Sequence, residues 1–339
     1  MRFLIVFVLT LLSFSSMAIA IEEEDRSAAR ILVYHKIGYE DSPANSVTLE
    51  QFKSHIRTLH AGQYNVVALP DVIKAYKKSA DLPPKSVVIT FDNPDKSLLL
   101  HAVPLLKAHQ FPFTVFLSPT SINDNNPRHL SSKDIRSLKK VPLINFGLQT
   151  NYDAHASITD ARSSLNNAVA FYRDAFKKQP DYFAFSHGLY DDAYLKVIKN
   201  YKFDALLGQH SAVAYHNTAS TILPRFVMTE NYADTNRFKR VINALPIPAE
   251  DVIPSTSMLN HNAPSIGFTT SNKLALDKLS CYAAGQKKPM IERLNDRIEI
   301  RLKQEIDAPR FRVNCTLPMK DKETEEIKWR WFGFLFERV

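Results

Sequence analysis

Asp92 is the residue best placed for chemistry, because it closes an apolar run, Val87-Val88-Ile89-Thr90-Phe91, that reads as a buried β-strand. A carboxylate at the C-terminal end of such a strand can take a proton from water as a general base. It can equally persist by accepting hydrogen bonds from loop amides without doing catalysis. Asn93, Pro94 and Asp95 follow it directly. A second apolar run, Ile31-Leu32-Val33-Tyr34, also ends in a polar residue, His35, and would bring Tyr34 and His35 to the same end of a parallel sheet. His155 and His187 lie in later loops, and Trp329 and Trp331 stand two apart near the C-terminus.

The elements that must position these residues alternate. Residues 31–35, 66–69, 87–91, 113–117, 144–147, 182–185 and 205–207 read as strands. Between them, residues 48–59, 71–78, 98–109, 131–139, 158–178 and 191–200 read as helices. Thr48 and Gln51 have capping-box spacing, with Phe52, Ile56 and Leu59 on one face of the helix they open. Strands alternating with helices predict a parallel (β/α) barrel. The pattern breaks around Pro246, Pro248 and Pro254. Beyond it, polar and apolar residues alternate through 291–294, 297–302, 310–315 and 329–334, with Asn295-Asp296 as a tight turn. That period of two predicts a small antiparallel β-domain over 255–339 after a barrel domain over 30–250.

In order along the chain, these segments resemble the NodB-like polysaccharide deacetylases. Residues 31–35 resemble the family's V-L-x-Y-H strand, and residues 47–66 the T-x-x-x-F…L…G-Y-x-V segment of its secreted poly-N-acetylglucosamine deacetylase-like branch. Residues 90–97 resemble T-F-D-D-G-Y-x-S, residues 183–190 F-A-Y-P-Y-G-x-Y, and residues 223–226 the late L-P-R-[FIV] strand. The resemblance covers roughly residues 30–230 and implies a distorted (β/α) barrel. The C-terminal segments are similar to an accessory β-domain found beside some of these deacetylases, of β-sandwich-like form.

In that family a divalent ion held by one Asp and two His polarises an acetamide and its bound water, while a neighbouring carboxylate removes the proton. The resemblance puts Asp92 at the base position and Arg225 beside it as a partner. It makes Asn93 the first metal position. Aligned on Gly147 and Thr150, Gln149 and Asp153 take the two histidine positions. Amide oxygen competes poorly with water for zinc, cobalt or nickel, so three altered ligands argue for loss of the metal. His155, paired with Asp153 or Asp95, is a substitute ligand; its other reading is a surface-loop histidine. Ser186-His187 replace the Pro-Tyr of the oxyanion loop, leaving a backbone donor and placing His187 as a general acid or simply a packed residue. Tyr34 and His35 would line the mouth, contacting sugar or packing. Trp329 and Trp331 would share one strand face, for sugar stacking or for core packing.

Residues 1–20 read as a secretory signal peptide, with Arg2 before an apolar stretch and Ala18-Ile19-Ala20 as the cleavage site. Export to the periplasm or beyond the cell is therefore expected. The net charge of +8 is spread along the chain, without the basic run of a nucleic-acid binder, and 45% hydrophobic content excludes wholesale disorder. Cys281 and Cys315 form a disulfide or stay as two buried thiols. The reading that follows is an exported, catalytically degenerate member that binds acetylated polysaccharide in envelope or extracellular glycan metabolism, beside exopolysaccharide-processing proteins and with no required cofactor. The alternatives are an active deacetylase using zinc, cobalt or nickel, and an envelope assembly protein without glycan activity.

Overall fold

The computed structural model describes residues 23–338 apart from 40, 124, 151–156, 221, 260–263, 272 and 322–324. The first part of the chain runs β1 (Arg30–Tyr34), β2 (Lys36–Ile37), β3 (Ser46–Val47), α1 (Leu49–Ala61), β4 (Asn65–Val66), α2 (Leu69–Tyr76), β5 (Ser86–Asp92), α3 (Val103–Ala108), β6 (Phe113–Leu117) and α4 (Ser132–Leu138). It continues through β7 (Ile144–Gln149), α5 (Ile158–Phe176), β8 (Tyr182–Ala184), α6 (Asp192–Ile198), β9 (Ala205–Leu207), β10 (Ile222–Leu223), β11 (Phe226–Val227) and α7 (Thr235–Ile242). The C-terminal part holds β12 (Leu245–Pro246), β13 (Glu250–Ile253), β14 (Met258–Leu259), β15 (Ile266–Thr269), β16 (Ser280–Ala283), β17 (Met290–Leu294), β18 (Arg297–Arg301), β19 (Arg310–Lys320) and β20 (Ile327–Arg338).

A nine-stranded parallel sheet in the order β10-β9-β8-β7-β6-β5-β1-β11, with β4 added on β5, forms the expected (β/α) barrel. Only Pro224 and Arg225 separate its two edge strands, β10 and β11, so covalent geometry keeps the sheet's ends close at that corner. α1, α4, α5 and α6 begin within a residue of where the sequence places them, helical turns from Leu98 lead into α3, α2 begins two residues early, and α7 is not foreseen. Thr48 and Gln51 form both bonds of the capping box, Phe52, Ile56 and Leu59 are buried, and Ser131 and Asp134 cap α4 in the same way. The strand expected over 66–69 is shorter, because α2 starts at Leu69 with Pro70 in its first turn, where a missing N–H costs nothing.

The C-terminal strands form two sheets, β12-β20-β19-β16 with β14 on β20, and β13-β15-β18-β17. Their facing sides share one core that includes Phe268, Ile298 and Ile300 from one sheet and Val313, Phe334 and Phe336 from the other. Two departures from simple antiparallel pairing occur. β12 and β14 run parallel to β20, and the sheets recruit β12 and β13, which lie upstream of residue 255. Cys281 and Cys315 sit opposite each other on β16 and β19 and are bonded. β20 docks on the barrel: Trp331 meets Phe226 edge-on at 5.3 Å, and a Cβ on Gly333 would lie 2.8 Å from the Ser211 carbonyl, so only glycine permits that approach.

Candidate functional site

Strand parity decides what reaches the barrel interior. On β5, Thr90 and Asp92 share a face, and both meet one guanidinium: Arg225 Nη1 donates to Thr90 Oγ1 at 3.2 Å and to Asp92 Oδ1 at 2.6 Å, and Nη2 donates to Asp92 Oδ2 at 2.7 Å. Arg225 Nε donates to the Gly208 carbonyl at 2.7 Å, and its head lies 5.4 Å over the Phe116 ring. Gln149, at the end of β7, and Gln209, just past β9, each turn an amide N–H on Asp92 Oδ2, at 3.3 and 3.2 Å. Asp92 and Arg225 are both fully buried, at 0% exposure. Gly188 allows the Gln209 loop to close in, since a Cβ there would stand 2.6 Å from the Gln209 backbone and its φ is +76°.

The carboxylate therefore accepts four hydrogen bonds, two of them from a bidentate arginine. The carboxylate has no exposure to solvent. The arrangement matches a structural ion pair: burial makes it expensive to break, while the fork geometry and the two amides satisfy it.

The positions expected to hold a metal are arranged for other bonds. Asn93 Oδ1 accepts from the Ser118 and Ser121 hydroxyls at 2.9 and 2.7 Å, on a backbone with φ of +43°. Gln149 presents an N–H, not an oxygen, to the site. Asp95 Oδ1 is taken by the amide and hydroxyl of Ser97. Asp153 and His155 lie outside the described residues. Among the described residues no group of three His, Cys, Asp or Glu gathers. Among the described residues the donor set does not fit a zinc-like ion.

Tyr34 does not line the mouth. It pairs in register with Phe91, and that parity sends it outward under α1, where it stacks on Phe91 at 5.6 Å and its hydroxyl reaches His55 Nδ1 at 2.9 Å. His35, one residue on, has the opposite parity and faces Asp92. Its Nδ1 is buried without a hydrogen-bond partner, and burial lowers its pKa to about 4, keeping the ring neutral. His187 is exposed at the mouth, and its carbonyl accepts from Arg310 of β19. Trp331 is no open platform: it packs on the barrel core and donates Nε1 to Asn314 Oδ1 at 3.1 Å. Trp329, on the same face, is half-buried opposite Pro318.

Sequence reasoning missed Gln209, Ser118, Ser121 and the arginines of β19. Gln209 carried one signal, a polar residue just past a short apolar strand, as with Asp92. A cavity of about 960 Å³ opens elsewhere, between the barrel edge and β20, and meets the loops that carry the site at Gly188, Tyr190, His210 and Pro224.

Comparisons with known proteins agree with the fold. Residues 79–206 match the family described as polysaccharide deacetylase. The poly-β-1,6-N-acetyl-D-glucosamine N-deacetylase of Staphylococcus aureus is 26% identical over 201 residues, covering 55% of this chain and 69% of that protein. The protein of the same name from Staphylococcus epidermidis is 28% identical over 205 residues, covering 52% and 70%. Among solved structures, the Streptococcus pyogenes deacetylase PplD in complex with acetate aligns at TM-score 0.56 with 18% identity, covering 63% of this chain and 98% of that one. IcaB from Ammonifex degensii aligns at 0.56 with 16% identity, covering 64% and 97%, and at such identities these two likenesses speak to fold alone. Residues 79–206 are a polysaccharide deacetylase domain.

Proposed function

We propose that this chain is an exported glycan-binding member of the family, working on N-acetylated glucosamine polymer in the periplasm or outside the cell without hydrolysing it. The observation that carries this reading is the state of Asp92, fully buried and held by Arg225, Gln149 and Gln209. The substrate class follows from the relatives named for poly-β-1,6-N-acetyl-D-glucosamine. Export follows from the leader-like residues 1–20. The loops after β1, β8, β9 and β11 stand at the C-terminal ends of the parallel strands, a place where parallel barrels present ligand-contacting residues.

The test is acetate release from β-1,6-linked N-acetylglucosamine oligomers by the purified secreted protein, with zinc, cobalt or nickel added and Asp92→Asn as the control. The expected result is release at the level of the control, together with measurable binding of the same oligomers. Metal-dependent release that vanishes in Asp92→Asn would overturn the reading.

A further inference from the structure

Beside the buried Asp92 site, the barrel mouth carries a second cluster that the family chemistry does not use. Arg310 and Arg312 stand two apart on β19, so they project from the same face of the strand. Arg310 Nη2 donates to the His187 carbonyl, and Arg312 Nη1 to the Gln209 carbonyl, the two loops that flank the mouth. Arg237, on α7, joins them, donating to the Val227 and Tyr232 carbonyls and lying 5.1 Å over the Tyr232 ring. Tyr232 is 41% exposed, and it lies within electrostatic reach of all three arginines.

The anions nearby do not balance this group. Glu337 lies 3.5 Å from Arg310. Asp234 is exposed and occupied by the Asn236 and Arg237 amides at the start of α7. Asp92 is neutralised by Arg225. Arg312 and Arg237 are half-buried, satisfied by carbonyls, and without a carboxylate partner among the described residues. Burial first, and then the neighbouring Arg310, lower Arg312 to about 9, and no carboxylate pairs with it among the described residues. A guanidinium fork left in that state matches a planar carboxylate better than any neutral sugar group.

We propose that Tyr232, Arg310 and Arg312 form a subsite for a carboxylate-bearing sugar, so that the glycan taken by this mouth is an acid-substituted one. The Tyr232 ring offers a face to the sugar, and the arginines read its acid group. This rests on the glycan-binding reading above and names its ligand class. The same positive charge disfavours a glycan whose amines are free and protonated.

The test is titration of the secreted protein with β-1,6-linked N-acetylglucosamine oligomers and with oligomers of equal length carrying one glucuronate, at low and high ionic strength. The acidic oligomer is expected to bind about tenfold tighter at low salt, with the advantage shrinking as salt rises. Arg312→Gln and Tyr232→Ala should each reduce that preference, and Tyr232, being exposed, can be changed without disturbing the fold. Equal binding of both oligomers, insensitive to salt and to either variant, overturns the subsite and leaves the glycan-binding reading standing. Binding of neither oligomer overturns both.

Discussion

At the scale of single residues, Asp92 is one half of a buried ion pair with Arg225, and its surroundings say what its removal does. In Asp92→Asn the Arg225 guanidinium would remain fully buried without a counter-charge, beside an amide that offers one acceptor in place of two. Removing one partner of a buried pair costs about 3–5 kcal/mol. We expect Asp92→Asn and Arg225→Met each to lower the urea midpoint by that order. The double variant should lose clearly less than the sum, because the two residues answer each other. Additive losses would mean that the pair is not coupled and that Asp92 has another partner. Asp92 and Arg225 were both legible as neighbours from the family resemblance. The saturation of the carboxylate was not, because Gln149 and Gln209 reach it from strands 57 and 117 residues away in sequence.

At the scale of elements, apolar runs and capping residues located the longer barrel strands and α1 to α6, but not α7 or the two-residue strands β2 and β3. What sequence did not show was how elements face one another. Tyr34 was placed at the mouth with His35, yet adjacent strand residues point to opposite sides, and one belongs to the helix layer. The tryptophan pair on β20 reads as packing sooner than as platform, but the sequence does not show its partner: that of Trp331 is Phe226, 105 residues earlier in the chain, too far for any local pattern to reveal. β20 is thus the strand that joins the two parts of the molecule, helped by the Arg330 fork on Asp25 at 2.8 and 2.6 Å. Trp331→Ala should destabilise by about 2–3 kcal/mol, less than the cost for a fully enclosed tryptophan, and should leave Asn314 Oδ1 without its donor. A change under 1 kcal/mol, about the effect of a surface substitution, would show that this contact does not hold the two parts together.

At the scale of the whole molecule, the buried histidines should set how stability responds to acid. His55 is fully buried, with Nε2 donating to the Ala233 carbonyl and Nδ1 accepting from Tyr34, which fixes a neutral tautomer. Burial brings His55 down from 6.5 to about 4, and burial does the same for His35 and His210, the latter helped by Arg312 and Arg225. A depressed histidine holds fewer protons folded than unfolded between those values. Its contribution is therefore complete above pH 6.5 and is lost as pH falls toward 4, at up to about 1.4 kcal/mol per pH unit. Glu24 works the other way: burial raises its carboxyl from 4.5 to about 7, so acidification through that range favours the fold. Three groups against one leave a net loss between pH 6.5 and 4.5. We expect the melting temperature to be flat above pH 7 and to fall steadily from pH 6.5 to 5, with a shallower fall in His55→Gln. A melting temperature that holds or rises across that interval would mean that the histidines are hydrated enough to titrate normally.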